Sequence, residues 1–362
     1  MQLQRVGIRG FRNLREVSLE PSASLTLLVG QNGHGKTNIL EAVHVLLQGQ
    51  SFRTRRDRDY LADPGPPAPV VLTAAGRLGQ RDITWSYMYD GQTRRRRQGP
   101  IVPVVVFSPD DLELARGAPS ARRHLLDHLL SGVDRRYARS LEAFQRAVLQ
   151  RNRALKEGGL RDLADDFLPA IVREGEYVWS RRYEVFDQLL PSCQTIYHAV
   201  AGSEAVSASY VTGGNPTRIE SPMRYREALA ARRGDEKVRQ MTLVGPHRDD
   251  IQFTVNGRSI VTAGSQGQQR TLALAIKLAT YLWLKAETGM VPLVMLDDVL
   301  SELDGIRRAA VLRQVAADEA QTIVTDTEPR DFGILNPAVF EVTEGELRLW
   351  RGNPHPMNSG PF

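Results

Sequence analysis

Short apolar runs and longer amphipathic segments alternate along the first third of the chain. The segment 36–47 has apolar side chains at helical spacing, which predicts a helix with one buried face. Farther along, apolar and polar positions alternate up to Asp90 and Gly91, a dipeptide typical of a hairpin turn. The remaining apolar runs are too short for helices and predict strands of an α/β domain. The predicted strands are residues 2–9, 25–29, 83–89 and 100–107.

The periodicity changes to that of helices at residues 119–200 and afterwards returns to that of strands. A later segment, 267–287, is apolar on more than one face and is predicted as a buried helix. We therefore predict an α/β head made of residues 1–115 and 241–362, interrupted by a compact helical lobe at residues 116–240. The later strands are predicted at 241–246, 250–260, 292–298 and 321–325.

A glycine-rich stretch, VGQNGHGKTN, follows the second predicted strand and precedes the first predicted helix. Its residues 30–37 fit the pattern G-x-x-x-x-G-K-[ST], in which backbone N–H groups and a helix N-terminus cradle phosphate. We expect Lys36 to bridge the β- and γ-phosphates of ATP and the Thr37 hydroxyl to bind Mg²⁺. The predicted ATP contacts are Gly30, Gln31, Asn32, Gly33, His34, Gly35, Lys36, Thr37 and Asn38.

Two adjacent carboxylates, Asp297 and Asp298, end the apolar run LVMLDD. In phosphate-loop ATPases a carboxylate at the end of a buried strand holds the magnesium ion, a role that we assign to Asp297. Asp298 would orient or deprotonate the attacking water, so Lys36 and Asp298 are the predicted catalytic residues. The alternative interpretation is that both carboxylates only cap a following helix.

The stretch SQGQQ begins the long helix, here bounded at 265–287, on the border of the head. Ser265 and Gly267 thus lie at a second helix N-terminus, another potential anion site, and Gln268 belongs to the same predicted contact. One nucleotide cannot readily use two helix ends on one face of a domain, so a second subunit would present this site to the γ-phosphate. Asp304, in the segment SELD, would lie at the same dimer interface. The alternatives are an ordinary serine N-cap and a plain turn.

The order of these motifs resembles an ABC-type ATPase head with Walker A, signature, Walker B and D-loop segments. Residues 38–264 separate the first two motifs, which is too few for the long coiled-coil arms of SMC-type chromosome proteins. A compact lobe in that place is similar to the RecF recombination-mediator family. Five segments, in order across almost the whole chain, resemble the same family: GFRNL (10–14), SFRTRRD (51–57), FSPDDLELARGAPSARRHLLD (107–127), GPHRDD (245–250) and LDDVLSELD (296–304).

This resemblance implies an ATP-dependent DNA-binding protein of recombinational gap repair, with a weak DNA-stimulated ATPase activity that acts as a switch. It implies that two copies dimerise head to head around ATP, grip duplex DNA near single-strand junctions and act with RecR and RecO to help load RecA. By resemblance to SMC-like heads, Arg12 and Asn13 would approach the nucleotide; a solvent-facing turn is the alternative. Asp298 stands where transporter heads carry glutamate, which favours slow hydrolysis.

Arginine clusters provide candidates for contacts with DNA phosphates. The predicted helix at 134–156 carries four arginines at spacings that place them on one side. Such a row can follow a duplex backbone without reading its sequence, and a solvated helix face is the alternative. The candidate DNA-binding residues are Arg94, Arg95, Arg135, Arg139, Arg146 and Arg153.

Bulk properties and missing motifs weigh against other function classes. The chain has a formal net charge of +5 and a single cysteine, Cys193, so we expect no intrachain disulfide. It has no apolar run of membrane-spanning length, so we expect a cytoplasmic protein with no membrane contact. The principal alternative is a motor ATPase subunit of another ABC-type assembly, a transporter or another repair complex. A phosphotransferase would leave the signature without a role, and a nuclease would have only His247, Asp249 and Asp250 as candidate metal ligands.

Overall fold

The computed structural model describes residues 1–54, 56–61, 69–92, 95–157, 161–213, 217–329 and 337–350. The strands are β1 Gln2–Phe11, β2 Leu14–Leu19, β3 Leu25–Val29, β4 Val70–Leu78, β5 Arg81–Tyr89, β6 Arg95–Gln98, β7 Val104–Phe107, β8 Val206–Val211, β9 Asp250–Val255, β10 Arg258–Ser259, β11 Leu293–Asp297, β12 Thr322–Asp326, β13 Ala338–Thr343 and β14 Glu346–Leu349. The helices are α1 Lys36–Gln48, α2 Leu112–Arg116, α3 Pro119–Val133, α4 Arg135–Lys156, α5 Leu168–Ala201, α6 Pro222–Arg239, α7 Ile260–Ala263, α8 Gln266–Thr288 and α9 Gly305–Ala317.

Two compact units make up the chain, one of Met1–Asp110 with Leu284–Phe362 and the other of Asp111–Trp283. The predicted boundaries differ from this division at the second crossing, because residues 241–283 lie in the second unit. The reason is strand pairing: β9 is antiparallel to β8, so the segment after residue 240 completes a sheet of the second unit. The periodicity of residues 119–200 had indicated a helical lobe, but this unit also contains a sheet.

The first unit contains a six-stranded sheet of order β14-β13-β3-β12-β11-β7. All its neighbouring strands are parallel except the edge pair β13 and β14. Every residue of β3, β11 and β12 is buried, as expected for parallel strands covered on both faces. These strands correspond to the predicted runs at 25–29, 292–298 and 321–325, and their carboxyl ends carry Gly30, Asp297 and Asp326 at one edge.

A second, antiparallel sheet of order β2-β1-β4-β5-β6 shares a hydrophobic core with α1. The predicted alternation in β5 is confirmed, since Trp85, Tyr87 and Tyr89 are buried. Gly91 has φ +83°, the left-handed conformation that the predicted turn requires. This sheet brings the turn after β1 to the nucleotide-binding motif described below.

The second unit packs α3, α4, α5 and α6 around aromatic side chains and against a sheet of order β10-β9-β8. The rings of Trp179 and Tyr225 lie 4.5 Å apart. Asp249 is buried beside them and accepts hydrogen bonds from Trp179 Nε1 at 2.7 Å and from the Tyr210 hydroxyl at 2.6 Å. Arg182 donates to the same carboxylate at 3.2 Å. The segment GPHRDD therefore contributes a polar centre to the core of this unit.

Candidate nucleotide-binding site

The loop between β3 and α1 can be built only with glycine at key positions. Gly30 has φ +152°, and a Cβ there would lie 2.2 Å from the carbonyl oxygen of Val342. Gly35 has φ +108°, and a Cβ would lie 2.9 Å from Asn13 Oδ1. The loop therefore passes close to β13 on one side and to the β1–β2 turn on the other, and its backbone adopts the curvature of an anion nest.

Lys36 begins α1 and its side chain is buried within the loop. Its Nζ donates to the carbonyl oxygens of Gly30 and Gln31 at 2.8 and 3.2 Å, and it lies 3.5 Å from Asn32 Oδ1. The ammonium group thus stands where the loop and the positive end of the helix dipole converge. Such a cation at a helix N-terminus is suited to bind phosphate oxygens.

Asp297 at the end of β11 is linked to the phosphate loop by hydrogen bonds. Its Oδ1 accepts from the Thr37 hydroxyl at 2.7 Å and from the Thr325 hydroxyl at 3.0 Å. Burial raises the pKa of this carboxyl above its ordinary value and the nearby Asp298 raises it further, whereas the two threonine hydrogen bonds lower it. The predicted magnesium ligands Thr37 and Asp297 therefore lie together, and their hard oxygens are of the kind that Mg²⁺ prefers.

Thr325 holds both members of the carboxylate pair. It is fully buried on β12, and its hydroxyl oxygen accepts from the backbone N–H of Asp298 at 2.8 Å while donating to Asp297. Asp298 itself has φ +51°, a left-handed conformation that turns the chain sharply at the end of β11. The sequence analysis assigned Thr325 no role, and only its position at the end of a buried strand pointed to this edge.

Glu41, on α1, organises the turn after β1. This carboxylate is fully buried and forms a two-pronged ion pair with Arg12, with atom separations of 2.7 and 2.8 Å. Arg53 Nη1 lies 3.4 Å from Glu41 Oε2, and the Ser51 hydroxyl donates to Oε1 at 2.6 Å. Asn13, beside Arg12, accepts from Asn38 Nδ2 at 2.7 Å. The predicted nucleotide contacts Arg12 and Asn38 thus border the loop, and sequence reasoning missed Glu41.

The hairpin of β13 and β14 also supports the loop. The backbone N–H of Gly345 donates to the carbonyl oxygen of His34 at 2.9 Å. A Cβ on Gly345 would lie 2.3 Å from the carbonyl oxygen of Asn13, so only glycine fits this turn. The sequence analysis predicted neither strand of the hairpin.

In the second unit, Ser265 and Gln268 form a reciprocal cap at the start of α8. Ser265 Oγ accepts from the backbone N–H of Gln268 at 3.2 Å, and Gln268 Oε1 accepts from the backbone N–H of Ser265 at 2.9 Å. Gln268 Nε2 also donates to Glu204 Oε1 at 2.7 Å. The local geometry is therefore that of an ordinary serine N-cap, the alternative given in the sequence analysis. The Ser265 side chain is exposed. Gly267 follows within the first turn of the same helix.

Asp304, the predicted D-loop contact, caps a helix as well. Its Oδ1 accepts from the backbone N–H of Arg307 at 3.0 Å, at the start of α9. Between it and Asp298, the Ser301 hydroxyl donates to the carbonyl oxygen of Asp298 at 2.8 Å. The segment is thus ordered by its own hydrogen bonds, with the Asp304 side chain at the first turn of α9.

The candidate DNA-binding arginines have different surroundings. All four arginines of the α4 row are exposed: Arg135, Arg139, Arg146 and Arg153. Arg146 lies 3.8 Å from Glu142 and Arg153 lies 3.7 Å from Glu157, both weak surface ion pairs. Arg95 is exposed and lies 3.4 Å from Asp57, whereas Arg94 lies outside the described residues.

Two features of the described residues bear on the function classes considered above. Among the helices that the structure describes, none combines the length and the apolar character that a membrane span requires. Within the same described ranges, no group of three or more His, Cys, Asp or Glu side chains is placed to hold a metal ion.

Comparison with known proteins agrees with the geometry. The AAA domain family model matches residues 5–69, which include the phosphate loop and α1. The chain is 37% identical to the DNA replication and repair protein RecF of Thermosynechococcus vestitus, over 96% of this chain and 97% of the relative. It is 36% identical to the protein of the same name from Symbiobacterium thermophilum, over 96% and 98%.

Solved structures lead to the same family. The recombination mediator protein RecF with ATP, of the RecFOR pathway, matches with a TM-score of 0.85 and 27% identity, over 96% of this chain and 97% of that chain. An Smc head domain matches with a TM-score of 0.54 at 16% identity, which shows a shared fold only. The predicted ABC-type ATPase head without long coiled-coil arms is thereby confirmed. The chain belongs to the RecF family of DNA replication and repair proteins.

Proposed function

We propose that this protein is an ATP-switched clamp for duplex DNA in recombinational gap repair. Two copies close head to head over two ATP molecules, the closed dimer holds duplex DNA near single-strand junctions, and slow hydrolysis releases it. In this role it would work in the cytoplasm with RecR and RecO and help to load RecA. The observation that carries the proposal is the hydrogen-bonded path from Thr37 through Asp297 to Thr325, which joins the phosphate loop to the carboxylate strand.

The residues of the loop fit ATP with Mg²⁺. Glycine-dependent curvature, the buried Lys36 ammonium and the N-terminus of α1 provide positive potential for the phosphates. Thr37 and Asp297 would hold the magnesium ion, either directly or through its bound water. When bound, the ion would neutralise the charge that develops on the phosphates. Relatives solved with ATP support this assignment.

Asp298 would orient the attacking water as a general base. Its backbone is fixed by Thr325 and by its left-handed turn, so the carboxylate is displaced from the line of β11. Because aspartate is shorter than the glutamate of transporter heads, we expect it to reach the water less well. Arg12, whose guanidinium is held by Glu41, would stabilise phosphate charge.

A second copy would complete each pocket with the start of α8. That helix has 23 residues, and its N-terminal turn carries the exposed Ser265 and the half-buried Gly267 and Gln268. The cap between Ser265 and Gln268 leaves the hydroxyl proton of Ser265 available to a phosphate oxygen, since Oγ acts only as the acceptor in that bond. Asp304 would contribute from the adjacent segment.

Substitutions on the two sides of this pocket test the proposal. In fluorescence anisotropy with a labelled duplex, the full-length protein should bind tightly only with ATP and Mg²⁺. Lys36→Met should abolish both nucleotide and duplex binding, whereas Ser265→Arg should keep nucleotide binding and lose ATP-dependent dimerisation and DNA affinity. Ser180→Arg, at another exposed serine of the second unit, is the matched control. A Ser265→Arg protein that dimerises and binds DNA like the wild type would refute a shared pocket.

A further inference from the structure

Helix α6, in the second unit, has a charge pattern that the sequence analysis did not use. Its exposed acidic residues are Glu227 and Asp235, while a third carboxylate, Glu236, is buried in an ion pair of 2.7 Å with Arg151. The helix therefore exposes an excess of positive charge. Its exposed basic residues are Arg224, Arg226, Arg232, Arg233, Lys237 and Arg239.

The basic residues form two rows, one on each flank of the helix. The buried side is marked by Tyr225, Leu229 and Glu236. With 3.6 residues per turn, one basic row lies about 60–140° from the middle of the outward face, on the side that also carries Asp235, and the other lies about 80–120° from it on the opposite side. One row is Arg224, Arg232 and Arg239, and the other is Arg226, Arg233 and Lys237.

Between the two rows, the outward face is small or apolar apart from Glu227. Met223 and Val238 are 65% and 84% exposed near its two ends. Ala230, Ala231 and Gly234 lie between them, and a Cβ built on Gly234 would meet no atom within 4 Å. Another molecule can therefore approach the backbone of this helix closely.

Two of the six flanking cations form ion pairs with carboxylates. Arg232 pairs with Asp235 at 3.0 Å and Arg233 pairs with Asp165. Within the part of the chain that the structure describes, no ion pair shorter than 4.0 Å involves the other four: Arg224, Arg226, Lys237 and Arg239.

We propose that α6 lies in the major groove of duplex DNA and that its two basic rows contact the phosphates of both strands. The major groove is about 12 Å wide and admits an α-helix, so cations on both flanks face a backbone on each side. The helix has 18 residues and is about 27 Å long, enough to pass along the groove. A partner protein with an acidic surface would need only one basic face on α6. It would not require two basic rows separated by a face of small side chains.

The same face explains why binding would depend little on sequence. Apart from the Glu227 carboxylate, which can accept from a cytosine amino group, it offers no side chain that hydrogen-bonds base edges, so the affinity comes mainly from phosphates. This inference rests on the proposed function as a DNA-binding protein, and it adds a surface distinct from the arginine row of α4.

Duplex binding by the full chain, measured by anisotropy with ATP over a range of salt, tests the surface. Replacing the four unpaired cations with glutamine (Arg224→Gln, Arg226→Gln, Lys237→Gln, Arg239→Gln) should lower affinity on the order of a hundredfold at low salt. It should also reduce the slope of log K against log salt by about 3 to 4. The net-charge control replaces four exposed arginines that already have ion-pair partners: Arg5→Gln, Arg77→Gln, Arg116→Gln and Arg348→Gln.

A second variant tests the groove rather than the charge. Ala231→Trp keeps every cation but adds bulk to the outward face, and it should lower duplex affinity about tenfold. In a separate competition experiment, poly-glutamate should compete only weakly with the duplex. Three results would each overturn the inference while leaving ATP-dependent DNA binding intact. They are equal effects of the two quadruple variants, wild-type affinity of Ala231→Trp, and strong competition by poly-glutamate. A wild-type chain that binds no duplex would overturn the proposed function as well.

Discussion

Thr325→Val removes the hydroxyl that holds both carboxylates at the end of β11. Valine has nearly the same shape, so the buried strand keeps its packing, but Asp297 loses a donor at 3.0 Å and the Asp298 N–H loses an acceptor at 2.8 Å. A hydrogen bond to a charged group contributes about 1.5–3 kcal/mol. If that positioning is needed in the transition state, kcat for ATP hydrolysis should fall about 10- to 150-fold.

The assay is steady-state ATP hydrolysis with saturating Mg²⁺, alongside thermal unfolding. Thr322→Val is a matched control, because Thr322 is equally buried on the same strand and its hydroxyl donates to the carbonyl oxygen of Ala320, away from the carboxylates. Thr325→Ser should recover most of the activity by restoring the hydroxyl. The reasoning is refuted if Thr325→Val stays within about threefold of the wild type, or if Thr322→Val loses as much kcat at equal stability.

Four further expectations follow from the structure. Asp298→Asn should trap an ATP-bound dimer on duplex DNA, seen as co-elution of protein, nucleotide and DNA; turnover like the wild type would remove Asp298 from the reaction. Arg135→Glu with Arg139→Glu should weaken duplex binding and flatten its salt slope without changing ATP affinity, and unchanged affinity at every salt concentration would exclude this part of α4. Burial lowers the pKa of His247 to about 4, so acidification from pH 6.5 to 4 favours unfolding, and His247→Gln should reduce that loss in urea midpoints. Burial raises the pKa of Asp249 to about 7, which gives the opposite trend, so Asp249→Asn should steepen the acid loss; unchanged pH profiles of both variants would contradict these assignments.

Local sequence signals predicted the core of the first unit well. The buried strands β3, β11 and β12 appear as continuous apolar runs, and the glycine-lysine-threonine pattern identified the loop between β3 and α1. Glycine at positions 30 and 35 is required by short contacts with distant residues, yet the motif alone was sufficient to find them. A binding motif whose residues lie in one contiguous segment can be recognised from the sequence.

Features that depend on distant pairings were not readable. Glu41 looks like an ordinary polar residue of an amphipathic helix, and only the fold shows that it is buried and pairs with Arg12 and Arg53. The strands β13 and β14 are short, and β13 owes its place to parallel pairing with β3, which lies far away in the sequence. Helix α6 lies in a polar region whose few apolar positions, such as Tyr225 and Leu229, gave a weak period.

The predicted boundary between the units differs from the observed division for a related physical reason. Strand β9 has the same alternating pattern whether it joins the head or the lobe, and its partner β8 was not predicted. The buried Asp249 carboxyl, which accepts hydrogen bonds from Trp179 and Arg182 of α5, also ties this segment to the second unit. Neither contact leaves a local signal.

The claim on which this account depends is that ATP closes two copies over a shared pocket. Light scattering on the full chain after size-exclusion chromatography measures this directly, without nucleotide, with ATP and Mg²⁺, and with duplex DNA added. The account predicts the mass of a single chain without nucleotide and twice that mass with ATP, with the doubling lost in Ser265→Arg. A single-chain mass under every condition, at concentrations well above that needed to saturate the ATP site, would contradict it.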